Sequence, residues 1–179
     1  LYRDERINRI FEGTNEINRL IIGSYTLKKA VLEELPIRDL IKNRASNWIL
    51  CKDISNDSLI KKEIEVIEFC RSVFAHTINA CINKFGQDLK TKQWIMEPLA
   101  DIVISFCTID TCSKRYNGLK DGEHKDNTLE VFRLSVSNHY SIIVESAKEI
   151  LTYIDSFDNT SNLMDDLKLW NKQLNYFPN

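Results

Sequence analysis

One carboxylate near the start of the chain stands at a glycine break between two amphipathic segments. Ile7, Ile10 and Phe11 give the first segment an apolar stripe with helical spacing, and Gly13 can supply the positive φ that ends such a helix. Glu12 therefore lies at a helix end, with a side chain that is not committed to an apolar stripe. A carboxylate that a ligand dries out at such a place could act as a general base. From spacing alone, a solvated glutamate is the more frequent outcome.

A second helix must hold the other side of this break. Thr14 is a favourable N-cap residue, and we predict a helix from Asn15 to Glu34 that Pro36 stops. A further short helix is predicted to start at Ile37. The apolar positions expected to be the buried stripe of the second helix are Ile17, Leu20 and Ile21.

The identities of residues 2–20 carry more information than the spacing of their apolar positions. Residues 2–20 read Tyr-Arg-Asp-Glu-Arg-Ile-Asn-Arg-Ile-Phe-Glu-Gly-Thr-Asn-Glu-Ile-Asn-Arg-Leu and closely resemble the C-terminal motif of acyl-CoA dehydrogenases. The resemblance implies that Glu12 is the catalytic base, which removes the α-proton of a fatty acyl-CoA while the β-hydrogen leaves as hydride to FAD. The product is then a trans-2-enoyl-CoA. The family's oxyanion donors imply that the backbone N–H of Glu12 and a ribityl hydroxyl bind the thioester carbonyl. By the same resemblance Gly13 lies against the substrate, and Thr14 and Glu16 approach FAD.

The resemblance also implies what the rest of the protein contains. Members of this family carry a helical N-terminal domain and a middle β-domain, which this chain lacks, so we expect a C-terminal fragment that neither holds FAD well nor turns over alone. The helical extension after residue 35 resembles that of the very-long-chain type, with Pro98–Ile104 and Glu33–Pro36 as the similar runs. Electron-transferring flavoprotein is the implied electron acceptor, and a homo-oligomer is expected. The implied location is the bacterial cytoplasm, or alternatively the mitochondrial matrix.

Composition narrows the classes of function. The chain of 179 residues has 24 basic and 26 acidic side chains, which does not suggest a nucleic-acid surface. No apolar run approaches the length of a membrane span, and the sequence leaves membrane association of the extension open. Since the five cysteines form no Cys-x-x-Cys pair and the three histidines are isolated, we predict free, buried thiols and no metal site. These residues are Cys51, Cys70, Cys81, Cys107, Cys112, His76, His124 and His139.

Long apolar stripes predict an all-α fold. Helices are predicted over Ser58–Phe85, Asp88–Asn117, Asn127–Asp155 and Asn162–Leu174, forming an antiparallel, up-and-down four-helix bundle behind a helical arm. Pro98 conflicts with the second of these, so that helix is either kinked near Trp94 or begins later. The predicted division is 1–35 for the end of the catalytic helical domain, 36–57 for a connector and 58–179 for the bundle. The sequence leaves one alternative function open, a stand-alone helical interaction or oligomerisation module.

Overall fold

The computed structural model describes residues 7–11, 13–44, 59–119, 124–156, 163–174 and 176. Within them the regular structure is entirely helical, as predicted. The helices are α1 (Asn15–Val31), α2 (Ile37–Arg44), α3 (Lys61–Phe85), α4 (Gln93–Asn117), α5 (His124–Ser156) and α6 (Leu163–Leu174). Short 3₁₀ segments cover Ile7–Arg9 and Gly86–Thr91. No described helix is both long and apolar enough to cross a membrane.

Aromatic contacts fix the direction of α4 against α3. The ring of Phe74 stacks on Phe106 with centroids 5.8 Å apart, and Phe85 meets Trp94 edge-on at 6.1 Å. Partners of higher number on α3 thus meet partners of lower number on α4, which is the pattern of an antiparallel pair. The predicted alternation of helix directions begins here.

The remaining two helices of the bundle continue the alternation. Tyr116 of α4 stacks on Phe132 of α5 with centroids 5.7 Å apart, at the opposite end of the pair from the Trp94 and Tyr153 contact. Helix α6 then returns along α5, because the Tyr140 hydroxyl donates to Asn171 while the backbone N–H of Met164 donates to Asp155 at 3.1 Å. The described helices α3 to α6 therefore form the predicted up-and-down four-helix bundle.

The predicted stripes form the core of this bundle. The stripe residues of α3, α4 and α5 are buried or half-buried without exception, so the periodicity was a sound guide in these long helices. Fully buried large side chains include Phe69, Ile78, Leu99, Ile109, Phe132, Ile143 and Ile150. Helix α2 packs against α3, and the core also takes in Leu27, Ala30 and Ile37, which lie ahead of the bundle in sequence. The predicted domain boundaries remain a prediction, since much of the connector, including Trp48, Ile49 and Leu50, lies outside the described residues.

Helix bounds differ from the predictions where backbone conformation intervenes. Helix α1 ends at Val31 and not at Glu34, because Glu33 adopts a positive φ of 58° that an α-helix cannot continue through. Of the two alternatives for Pro98, the later start is observed, since residues 86–91 form a 3₁₀ segment and α4 begins at Gln93. Pro98 then lies in the second turn of α4, where it removes one hydrogen bond.

The prediction for the apolar positions of the arm was wrong at Ile17 and Ile21. Ile17 and Ile21 are 52% and 58% exposed, and only Leu20 of the three packs partly against the core. Helix α1 instead turns its other side to the bundle, where Gly23, Thr26, Leu27 and Ala30 are buried. Because apolar residues lie on both sides of this helix, its pattern could not show which side the bundle covers.

The cysteine prediction was correct in part. Cys70 and Cys81 are free and buried, and burial raises the pKa of the Cys81 thiol to about 12. Cys112 is free and half-buried, whereas Cys107 is exposed on α4, contrary to the prediction. Cys51 lies outside the described residues. Among the residues that the structure describes, no group of histidine, cysteine and acidic side chains could hold a metal ion.

Candidate functional site

The candidate site begins at the turn before α1. Gly13 has a φ of +111°, in the region where a side chain would strain the backbone, as its predicted role in ending a helical segment requires. The side-chain amide of Asn18 donates to the Gly13 carbonyl at 3.2 Å and so ties the turn to the first helical turn of α1. The predicted base, Glu12, lies outside the described residues. The structure therefore describes its neighbours and not its own placement.

Thr14 caps α1 as predicted. It has extended backbone angles, and its hydroxyl oxygen accepts a hydrogen bond from the backbone N–H of Ile17 at 3.3 Å. Side-chain capping of this kind satisfies one of the free donors at the start of a helix. The positive φ of Gly13 and the N-cap at Thr14 are both confirmed. The contacts of these two residues with substrate and FAD remain predictions.

Glu16 lies in the first turn of α1 and is exposed. Its own backbone N–H and then the Thr14 hydroxyl donate to the carboxylate and lower its pKa below the usual range, with smaller contributions from Arg19 and Arg9. An ionised carboxylate is an acceptor only. Glu16 can therefore accept from ribose hydroxyls or an amine, whereas it would repel a phosphate.

An ion pair joins this end of α1 to the bundle. The guanidinium Nε of Arg19 donates to the Asp101 carboxylate on α4 at 2.7 Å, with both side chains about one-third exposed. This hydrogen bond is the main cause of the raised pKa of Arg19, and the charges of Asp101, Glu97 and Glu16 add to it. Arg19 thus connects α1 with α4 through Asp101.

One helical turn further on, the two helices come into backbone contact. Gly23 is buried, and a Cβ atom built there would lie 2.5 Å from the carbonyl oxygen of Met96 and 3.0 Å from its Cα. Since Arg19 meets Asp101 and Gly23 meets Met96, α1 and α4 run antiparallel. The sequence analysis missed Arg19, Gly23 and Asp101. A lone glycine in the middle of a helical pattern is the signal that could have found this crossing.

The opposite side of α1 is uncovered. Its exposed apolar residues, together with those of the preceding turn, are 52–69% exposed and are here called the outer face of α1: Ile7, Ile10, Phe11, Ile17, Ile21, Tyr25, Val31 and Leu32. Groups of large apolar side chains exposed on a soluble protein often mark a surface to which another segment or protein binds. The outer face adjoins the turn that carries the predicted site.

A groove lies elsewhere on the bundle, away from the predicted site. It has a volume of about 350 Å³ between the end of α4 and the start of α5, and its lining residues are Cys112, Arg115, Asn127, Thr128, Val131 and Phe132. None of these residues was predicted to act in chemistry, and none belongs to α1. The structure does not bring the groove together with the predicted site.

Comparison with known proteins agrees with the opening motif. No family model matches the chain. A curated "Probable acyl-CoA dehydrogenase" from Bacillus subtilis (strain 168) is 29% identical over 174 residues, which covers 93% of this chain and 29% of that protein. The chain thus spans less than one third of the relative that it matches. The resemblance to acyl-CoA dehydrogenases predicted from residues 2–20 is confirmed by this similarity.

A solved structure shares the fold. The crystal structure of an acyl-CoA dehydrogenase complexed with FAD from Bacillus anthracis superimposes with a TM-score of 0.80 at 24% identity. The match covers 99% of this chain and 30% of the other. The arrangement of α1 to α6 as a whole therefore occurs within an acyl-CoA dehydrogenase structure, and the arm and the bundle occur there together.

Proposed function

We propose that this chain is the C-terminal part of an FAD-dependent acyl-CoA dehydrogenase that oxidises fatty acyl-CoA to trans-2-enoyl-CoA. The observation that carries the proposal is the Glu12-Gly13-Thr14 motif, in a chain whose sequence is similar to an acyl-CoA dehydrogenase over 93% of its length. Gly13 with its positive φ and Thr14 as N-cap give the motif the turn conformation expected of a site residue held at a helix start.

In this proposal Glu12 takes the α-proton of the substrate. The proton beside a thioester is weakly acidic, so the base works only where water is excluded and the developing enolate oxygen receives hydrogen bonds. The backbone N–H of Glu12 is one such donor in the proposal. Gly13 leaves room for the thioester because it has no side chain.

The residues at the start of α1 fit part of FAD. The exposed Glu16 carboxylate can accept from the hydroxyl or amine groups of a nucleotide, and the Thr14 hydroxyl lies beside it. Neither residue supplies a positive charge for the pyrophosphate. When bound, FAD would accept the β-hydride. The chain's own residues would bind, orient and deprotonate.

The outer face of α1 supports the view that more protein is needed. Eight large apolar side chains lie exposed along this face, which begins beside the proposed site, and the chain spans only 29–30% of the two proteins compared above. In the proposal this face packs against the part of the enzyme that the chain does not cover. The isolated chain is then expected to be inactive. Electron-transferring flavoprotein as acceptor, a homo-oligomeric state and a bacterial cytoplasmic location belong to the same proposal.

The test uses the intact protein that carries this chain. Fatty acyl-CoA should bleach the flavin absorbance of the wild type, and Glu12→Gln should retain the flavin but lose about 10²–10⁴-fold in the rate of bleaching, as expected for loss of a general base. Glu149→Gln is the matched control, because it removes an exposed carboxylate of α5 that has no place in the proposed site. Equal rates for wild type and Glu12→Gln would end the assignment.

A second experiment separates this proposal from a stand-alone interaction module. Replacing Ile17 and Ile21 with serine should leave the unfolding midpoint of the 179-residue chain unchanged, because both side chains are exposed there. In the intact protein the same double change should lower the unfolding midpoint and weaken flavin retention. An unchanged intact protein, with a flavin content equal to wild type, would favour the module instead.

A further inference from the structure

We infer that Asp101 and Gly23 are positioning residues, through which the helical bundle holds the start of α1 and with it the proposed catalytic turn. The inference rests on the proposed function, which gives that turn its chemistry. It assigns to the bundle a part in the activity, although none of the bundle residues was predicted to contact substrate or cofactor.

Among the described residues, the start of α1 has few contacts with the bundle apart from Leu20, which packs partly against the core. The hydrogen bonds that shape the turn, from Asn18 to Gly13 and from Ile17 to Thr14, are internal to the turn and α1. They fix its shape but not its place on the protein. Ile17 and Ile21 extend away from the core.

An ion pair between Arg19 and Asp101 joins the second turn of α1 to α4. Arg19 lies in the second turn of α1, and its bond to Asp101 at 2.7 Å is the first polar contact along α1 that reaches another helix in the described structure. The same guanidinium lies near Glu16 of the first turn and near Glu97 of α4. The direct contact is with Asp101, and the charges of Glu16 and Glu97 further favour the protonated guanidinium.

A backbone contact at Gly23 brings α1 close to Met96 of α4. The 2.5 Å that would separate an added Cβ from the Met96 carbonyl oxygen means that only glycine allows this approach of the two helices. The contact sets the distance between α1 and α4, while the ion pair one turn away sets the rotation and the sliding of α1. Together, the ion pair and the backbone contact fix the position and orientation of the start of α1 relative to α4.

A contact of this kind matters for rate more than for stability. An ion pair that is about one-third exposed contributes little to folding, whereas a displacement of about 1 Å in a reacting group can cost about 10²-fold in rate. Loss of the pair should therefore appear in kcat at unchanged flavin content. A purely structural role would lower the amount of folded enzyme and leave kcat per flavin unchanged.

The experiment compares two aspartates of α4 in the intact protein. Asp101→Asn keeps the side-chain shape and removes the charge facing Arg19. Asp110→Asn is the control, since the Asp110 side chain is similarly exposed (27% against 29% for Asp101) and is ion-paired with Arg71 and Lys114, not with α1. We expect kcat per bound flavin to fall about tenfold or more in Asp101→Asn, with KM changed less than about twofold and unfolding midpoints of both variants within about 4 °C of wild type. Asp110→Asn should keep the wild-type kcat.

A charge exchange provides the rescue. Arg19→Glu alone should lower kcat as Asp101→Asn does, and combining it with Asp101→Arg should recover a substantial part of the loss, because the pair is rebuilt in reverse. An Asp101→Asn enzyme with wild-type kcat, or a double variant no better than Arg19→Glu, would overturn the inference and leave the proposed function intact. Failure of the proposed function is recognised separately, by a flavin-loaded wild type that acyl-CoA does not bleach.

Discussion

Substituting Gly23 with alanine distinguishes a tight helix crossing from an ordinary glycine in a helix. In the middle of an exposed helix, glycine to alanine stabilises by about 1 kcal/mol through backbone entropy. Here the new Cβ would lie 2.5 Å from the Met96 carbonyl oxygen, below the 3.0 Å that real Cβ atoms keep. Helix α1 would have to move from α4 by roughly 0.5 Å or more, and closely packed interiors resist such shifts.

The expected magnitude follows from these opposing contributions. Overpacking of a well-packed contact costs about 1–3 kcal/mol, and the propensity gain offsets about 1 kcal/mol of it. We therefore expect Gly23→Ala to lower the free energy of unfolding by about 1 kcal/mol, and Gly23→Val to lower it further because of its larger side chain and poorer helix propensity. Ser24→Ala is the control on the neighbouring exposed position and should lie within about 0.5 kcal/mol of wild type.

Urea unfolding of the 179-residue chain, followed by circular dichroism at 222 nm, measures these differences. The slope with urea should be unchanged, so that the midpoint reports stability. A Gly23→Ala chain that is more stable than wild type by the propensity gain would refute the reasoning, because it would mean that α1 and α4 do not approach as closely as described. The proposed positioning of α1 would then rest on the Arg19–Asp101 ion pair alone.

Three further predictions concern other parts of the chain. Thr14→Ala should lower the free energy of unfolding by about 1 kcal/mol through loss of the N-cap, with Thr14→Ser close to wild type; equal stabilities of all three in urea would contradict the cap. Burial lowers the pKa of His76 to about 4, so the unfolded chain, with a histidine pKa of about 6.5, binds the extra proton between these values and stability falls as pH drops through that window. After allowance for partial exposure the loss from pH 7 to pH 5 should be about 1 kcal/mol greater in wild type than in His76→Gln, and parallel pH profiles of the two would contradict it. With Ellman's reagent Cys107→Ser should lower the number of readily reacting thiols by one per chain, whereas Cys81→Ser should leave that number unchanged because Cys81 is fully buried; an unchanged number in Cys107→Ser would contradict the exposure of Cys107.

The long helices of the bundle could be predicted from sequence because each has a single covered face. In α5, for example, Phe132, Val136, Ile143 and Ile150 follow one stripe and are all buried. Local chemistry was equally informative at the turn, where Gly13 takes a positive φ and Thr14 caps α1. Such signals depend on a few neighbouring residues and need no knowledge of the rest of the fold.

Helix α1 was harder to predict because what covers it is not local. It has apolar residues on both sides, and the side that meets the bundle is chosen by Gly23 and Arg19, whose partners lie on α4 far along the sequence. The stripe assigned to Ile17 and Ile21 is the side that faces away from the bundle. A pattern in one helix indicates that a face is apolar, but not which partner will cover it.

The assignment of Glu12 as the base depends on the sequence motif, and exchange of the substrate α-proton tests this assignment directly. The intact protein and its Glu12→Gln variant, both loaded with flavin, are incubated with a fatty acyl-CoA in deuterated water, and exchange of the substrate α-proton is followed by mass spectrometry. The account predicts exchange by the wild type and loss of about 10²-fold or more in the variant. Exchange at equal rates in both proteins would contradict the assignment of Glu12 as the base.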